Sequence, residues 1–390
     1  MKKLLITLLI FCILLFTGGC SNNVDALDKN ITKESSPKAI KSTENSSSIA
    51  NTDKVLKWPT ENWSISTPEE QEMDPNLLSN ADKRINENYP NVYSLLVVRH
   101  GYLVYEKYYQ GLDKDSYNPV YSVTKSVMSA LTGITLREKL ITNIDQKVSY
   151  FFPEYFTEVD DIKKREITIR NILTMSAGLE AIDSDYNGYF SSGDWFAYTI
   201  KKPLIDKPGE KFVYNTGLPH FLSGLITKTS KMSTLDFANK FIFNQIGISL
   251  EKQVFQKRWD KDQMRYYGGG SGLYLTPIDM AKFGYLYLKN GLWDGKQIIP
   301  KEWIEESTKK QITVSPGVDY GYLFWVQNMK DKVHNKDYFT YRALGAGEQS
   351  IVIVPDLDMV VVITANQWIT SVDKADTQDV ISDYVMPAVK

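Results

Sequence analysis

Apolar positions divide this chain into a short leader, a polar stretch and a long patterned body. Leu4 to Phe16 is almost uninterrupted in apolar residues, follows the basic start Met1-Lys2-Lys3, and is too short to span a bilayer comfortably. Small residues, Thr17-Gly18-Gly19, then lead to Cys20, the layout of a secretory signal over residues 1–20. Residues 21–56 are rich in Ser, Asn, Lys, Asp and Thr, a composition that cannot bury a core, and are expected to form a disordered tether. Period-2 and period-3.6 patterns begin after that, and residues 57–390 are expected to fold as the body.

Within the body, Pro75–Asn88 has helical spacing. Val92–Arg99 and Tyr102–Tyr109 alternate as strands around the turn signal His100-Gly101. Ser122 to Glu138 predicts a helix, and Ser126, Ser129, Ala130 and Gly133 keep it slim enough to be buried centrally. Ile169, Ile172 and Leu173 predict a short helix that stops at Ser176-Ala177-Gly178. Further helices are expected over Leu218–Thr227, Thr234–Gln245, Pro277–Lys289, Pro300–Thr308 and Thr377–Met386. The aromatic, Gly-containing stretch Tyr186–Trp195 reads as a loop over a cleft, and Gly268–Gly272 as a loop that is flexible or closely approached. Ser350–Pro355 and Met359–Thr364 form a second hairpin around Asp356-Leu357-Asp358. Strands at both ends and helices between them predict an α+β fold: an antiparallel sheet flanked by helices, with a mostly helical second lobe.

Composition narrows the chemistry. Net charge is -2 over 390 residues, which argues against a nucleic-acid partner. The two cysteines, Cys12 and Cys20, both precede the body, so the body has neither a disulfide nor a Cys nucleophile. Three histidines, His100, His220 and His334, leave little for a His-rich metal centre or a Ser-His-Asp triad. Cys20, at the position where a leader would be cleaved, resembles the lipidated Cys of bacterial lipoproteins. That likeness implies an extracytoplasmic body held to the bacterial cell membrane by a lipid on Cys20.

One short motif stands at the start of the slim helix: Ser122-Val123-Thr124-Lys125. Residues three apart share a helix face, so the Lys amine lies beside the Ser hydroxyl. A Ser hydroxyl becomes a competent nucleophile when a base takes its proton. Burial and a helix N-terminus both favour the neutral amine that this requires. The motif occurs five times, from Ser35, Ser122, Ser249, Ser307 and Ser371, but only Ser122 opens a long apolar helix after a sheet segment. Tyr214, just before a Gly turn and a helix, either packs or transfers a second proton. Gly345-Ala346-Gly347, ahead of a strand, is either a plain turn or a source of backbone N–H groups for an oxyanion.

The ordered set Ser122-Val123-Thr124-Lys125, Tyr214-Asn215-Thr216 and Ala343-Leu344-Gly345 resembles the serine β-lactamase-related family. That family covers class C β-lactamases, D-alanyl-D-alanine carboxypeptidases, esterases and aminohexanoate-dimer hydrolases. The likeness extends from about Trp58 to Met386. Pro208–Gly217, Gly269–Leu273 and Gly345–Thr364 are most similar to its esterase and amide-hydrolase branch. It implies a β-lactamase/transpeptidase-like fold that needs no metal or organic cofactor and acts on a small-molecule or peptide substrate. It also implies roles: Ser122 as acylated nucleophile, Lys125 holding or accepting its proton, Tyr214 relaying a proton to the leaving group, and the backbone N–H groups of Ser122 and Ala346 as the oxyanion hole. Thr216, Trp195, Gly270, Ala343 and Gly345 are the expected pocket positions.

Two positions depart from the β-lactamase pattern. Thr216 replaces the Asn of Tyr-x-Asn, and Ala343 replaces the Lys of Lys-Thr-Gly, which helps hold a substrate carboxylate. Arg342 is adjacent but should face the opposite side of its strand. The chain is therefore expected to be an ester or amide hydrolase. A D-Ala-D-Ala carboxypeptidase or β-lactamase, and a non-catalytic cell-wall or peptide-binding lipoprotein, are the rival readings.

Overall fold

The two β-hairpins expected from the sequence lie side by side in one sheet. The computed structural model describes residues 58–249, 266–366 and 377–390. The chain divides after Lys54, and the described residues belong to the unit from Val55. The expected leader, the expected tether and Cys20 lie outside the described residues.

Helix α1 (Pro75–Asn88) is capped by Asp74, which accepts from the Asn76 N–H, and has Pro75 at its first position, where no N–H is needed. Strands β1 (Val92–Arg99) and β2 (Tyr102–Tyr108) follow as an antiparallel hairpin. His100 (φ 50°) and Gly101 (φ 81°) make its turn, both left-handed, the backbone that matches hairpin twist. The short strands β3 (Asn118–Pro119) and β4 (Tyr274–Leu275) pair with each other, as do β5 (Leu292–Trp293) and β6 (Lys296–Gln297). Then come β7 (Ile312–Ser315), β8 (Val318–Tyr320), β9 (Trp325–Asp331), β10 (Lys336–Gly345), β11 (Gln349–Val354) and β12 (Met359–Ala365). The main sheet runs β2-β1-β12-β11-β10-β9-β8-β7, antiparallel throughout.

The central strands are buried on both faces, which is why they read as unbroken apolar runs. In β1, Leu95 and Val97 point into a core shared with α1 and the C-terminal helical turn, while Leu96 and Val98 point into the main core. The same alternation divides β12: Val361 and Ile363 go one way, Val360 and Val362 the other. Helix α2 (Val123–Arg137) packs on the main-core side, buried without a break from Val123 to Thr135. Its small residues serve that position. A Cβ on Gly133 would lie 2.5 Å from Trp303 Cδ1, and Ser126 donates to the Leu323 carbonyl at 2.7 Å.

The described residues between α2 and β4 form helices and turns with no named strand, the helical lobe expected from the sequence. One expectation there is corrected. Most of Tyr186–Trp195 is helix, Tyr186–Ser191, and a second helix begins at Trp195. Asp185 and Asp194 cap the two helices, accepting from the Gly188 and Ala197 N–H groups. The glycines that suggest a loop sit within one cap and between the helices.

Candidate active site

Ser122 stands at the N-cap of α2, and the backbone before it is strained. Tyr121 has φ 45°, an uncommon conformation for a residue with a Cβ, costing on the order of 1–3 kcal/mol. The turn is tied down from two sides. The Thr124 hydroxyl donates to the Tyr121 carbonyl at 2.6 Å and accepts from the Leu273 N–H at 3.2 Å. The Val120 N–H donates to the Leu273 carbonyl at 3.0 Å. These bonds lay the Gly268–Leu273 segment along the start of α2.

Lys125, one turn into α2, is 1% exposed. Its Nζ is 2.8 Å from Ser122 Oγ, 2.7 Å from the Gly270 carbonyl oxygen and 3.2 Å from Thr216 Oγ1. Burial disfavours the ammonium and brings the Lys125 pKa down from 10.5 to about 7; the nearby Asp183 carboxylate opposes part of that drop. A neutral amine is therefore well populated near pH 7, within reach of the Ser122 proton.

Tyr214 presents its ring to the same amine, with Nζ 4.8 Å from the ring centroid. Burial raises the Tyr214 phenol well above its ordinary pKa, and a hydrogen bond with Ser122 works the other way. The phenol keeps its proton at neutral pH, so it can donate where Lys125 can accept. Trp325 backs it, nearly parallel at 6.0 Å between centroids.

The end of β10 closes the site. A Cβ on Gly345 would run into the Val120 carbonyl and lie 3.3 Å from the Ser122 nitrogen, so only a glycine lets the strand pass this close. Ala346 follows directly, and the turn beyond it brings the chain back into β11. Gly270 is equally constrained: a Cβ there would collide with the Thr216 carbonyl. The Gly268–Gly272 segment is thus a close-approach loop, the second of the two expected options. Ser122, Lys125, Tyr214, Thr216, Gly270 and Gly345 are gathered in one place.

The remaining predicted positions fall around them. Ala343 is buried on β10. Arg342 points to the other face, where it donates to the Gln378 side chain. Trp195 is 4% exposed and packs against Tyr189, Phe190 and His220. It braces the short aromatic helix, whose Tyr186 and Phe190 rings lie parallel and exposed. Among the described residues, no three His, Cys, Asp or Glu side chains are grouped as a metal site.

Sequence reasoning missed Asp183. Its carboxylate accepts from the Thr216 N–H at 2.8 Å, the Thr216 hydroxyl at 2.7 Å and the Tyr186 hydroxyl at 2.5 Å. Nothing local marks it, since Thr216 is 33 positions away in the chain.

A fold of this architecture, with a buried Lys one helical turn after a Ser at a helix start, defines a serine hydrolase of the β-lactamase/transpeptidase class, a class acting on ester and amide bonds. The chain belongs to the beta-lactamase family, whose sequence profile matches residues 87–385. It is 22% identical over 294 residues to an uncharacterized protein of Alkalihalophilus pseudofirmus, covering 70% of this chain and 84% of that one. Among solved structures it is similar to a Bacillus anthracis protein described as a candidate 6-aminohexanoate-dimer hydrolase, with TM-score 0.63 and 20% identity, over 78% of this chain and 80% of that one. It is also similar to EstCE1, a hydrolase with promiscuous acyltransferase activity, with TM-score 0.64 and 15% identity, over 81% of this chain and all of that one (100%).

Proposed function

We propose that this chain hydrolyses small esters or amides that carry no carboxylate on the leaving-group side, through an acyl-enzyme on Ser122. The observation that carries the reading is the 2.8 Å contact between Ser122 Oγ and a buried Lys125 whose pKa is near 7. Neutral Lys125 takes the Ser122 proton as Oγ adds to the substrate carbonyl. The Ser122 and Ala346 N–H groups hold the oxyanion. Tyr214 donates a proton to the leaving oxygen or nitrogen as the bond to it breaks, and Lys125 returns a proton to Tyr214. Water then attacks the acyl-Ser122 ester, with the same groups moving protons in reverse.

The preference for uncharged substrates rests on Ala343. With an apolar residue at that strand position and Arg342 committed to the opposite face, no side chain from this pair meets a substrate carboxylate. A β-lactam or a D-Ala-D-Ala peptide lacks its anchor here. The test is kcat/KM for short esters and amides beside a chromogenic cephalosporin and a D-Ala-D-Ala peptide, with Ser122→Ala as control. Esters or amides should be turned over at least tenfold better than the anionic substrates, and Ser122→Ala should be inactive. Preferred cleavage of the anionic set would reject the substrate assignment. Tight binding with no turnover of any substrate would favour the non-catalytic reading.

The leader supports an extracytoplasmic location with a lipid on Cys20, residues 21–56 serving as the tether. Expression of the full chain in a bacterial host should place it in the membrane fraction, and Cys20→Ser should release it. A Cys20→Ser protein that fractionates unchanged would remove the lipid from the account.

A further inference from the structure

We infer that Asp183 and Thr216 form a positioning relay that aims the Lys125 lone pair at Ser122. The inference rests on the hydrolase reading and adds two positioning residues to it.

Counting protons fixes the direction of each bond. A neutral amine has two N–H donors and one lone pair. The Gly270 carbonyl, 2.7 Å away, can only accept, so it takes one N–H. Thr216 Oγ1 has one proton of its own, and Asp183 Oδ1 at 2.7 Å can only accept when ionised. The Thr216 proton therefore belongs to Asp183, and Thr216 Oγ1 is left to accept the second N–H of Lys125 at 3.2 Å. Both N–H groups are then engaged. The lone pair is what remains for Ser122 Oγ at 2.8 Å, and the Ser122 O–H can donate to it. Nucleophile and base are thereby set in the productive sense before any substrate arrives.

Asp183 holds this polarity because three donors hold Asp183. Oδ2 accepts the Thr216 N–H at 2.8 Å, and Oδ1 accepts the Thr216 and Tyr186 hydroxyls. The backbone bond orients the carboxylate and the hydroxyl bonds read it out. The titratable groups around Lys125 and Thr216 are Asp183 from the turn after Ile182, Tyr186 from the short aromatic helix and Tyr214 from the segment before the Leu218–Ser230 helix. Of these, the Asp183 carboxylate is the one that favours the Lys125 cation at neutral pH.

Asp183→Asn keeps the shape and reverses the relay. The Thr216 N–H still needs an acceptor, which turns the amide oxygen toward it and the amide NH2 toward Thr216 Oγ1. The Thr216 proton is then pushed toward Lys125, where it competes with Ser122 for the lone pair. Removing the negative charge also lowers the Lys125 pKa.

The experiment measures the rate at which a fluorophosphonate probe phosphonylates Ser122 with loss of fluoride, as the stand-in for acylation, from pH 5 to 9, in the parent protein, Asp183→Asn, Thr216→Val and Thr216→Ser. Circular dichroism and thermal melting check that each is folded. Asp183→Asn and Thr216→Val should acylate at least tenfold more slowly than the parent. Thr216→Ser should recover most of what Thr216→Val loses. The acid limb of the Asp183→Asn profile should move to lower pH. Should Asp183→Asn fail to fold, the Thr216→Val and Thr216→Ser pair still decides the matter. Acylation by Asp183→Asn within twofold of the parent, a slower Asp183→Asn whose limb does not move down, or equal rates for Thr216→Val and Thr216→Ser would overturn the relay. A parent that is not labelled at Ser122 would reject the hydrolase reading and the relay with it.

Discussion

A lysine that works as a base must spend an appreciable fraction of its time uncharged. With an ordinary pKa near 10.5, the neutral fraction at pH 7 would be smaller than that of Lys125 by roughly three orders of magnitude. Desolvation supplies that difference: the amine is enclosed, and its polar neighbours are the Ser122 and Thr216 hydroxyls and a carbonyl. The sign of the pH dependence follows. Below about 7 the amine is protonated and cannot accept the Ser122 proton, so acylation should fall about tenfold per pH unit; above about 7 it should level off. Stopped-flow acylation across pH 5–9 measures this, and a rate that rises as pH falls through 7 would exclude Lys125 as the base. Ser122 and Lys125 were legible in the sequence through context, since only this copy of the motif opens an apolar helix. Asp183 was not legible. Its partners are a backbone amide and two hydroxyls brought to it by folding, and no spacing rule connects residues 183 and 216.

At the scale of elements, the site depends on backbones that touch where a side chain would part them. Gly270→Ala places a methyl group against the Thr216 carbonyl and must move the Gly270 carbonyl off Lys125. The expected result is a loss of turnover of about tenfold or more in a protein that still folds by circular dichroism. Gly133→Val should do the reverse. Its new side chain meets Trp303 Cδ1 and Cδ2 at 2.5 and 2.6 Å, and overpacking of this kind costs about 1–3 kcal/mol. Urea denaturation should show that loss, with the acylation rate of the folded protein close to the parent's.

The same scale explains which elements the sequence announces. β1, β11 and β12 are buried on both faces, so their apolar runs are unmistakable. β7, β8 and β9 have one face toward solvent and carry Thr, Asp, Gln, Asn and Lys, so no strand was expected there. β10 mixes charged and aromatic residues until Arg342, and only its Gly345 end was foreseen. The aromatic stretch from Tyr186 was misread for the opposite reason: Gly188 and Gly193 weighed more in the sequence than the capping Asp185 and Asp194.

For the whole molecule, the eight-stranded sheet explains how distant segments come to share one reaction centre. β10 lies inside the sheet and ends beside the start of α2; the Tyr214 segment enters from the helical lobe, with the Val213 N–H bonded to the Met175 carbonyl at 2.7 Å. Each segment delivers one part of the proposed site: nucleophile and base from α2, acid from the lobe, close-packed backbone from β10. Family membership gives the class of reaction, and Ala343 together with the relay at Thr216 marks where this chain departs from the β-lactamase pattern. The claim on which all of this depends is that Ser122 is the activated nucleophile. Intact-mass analysis after brief reaction with a fluorophosphonate at pH 8, followed by peptide mapping, tests it directly. One adduct per chain is expected, located on Ser122, absent from Ser122→Ala and formed at least a hundredfold more slowly in Lys125→Ala. An adduct on another residue, or equal labelling of Ser122→Ala, would contradict it.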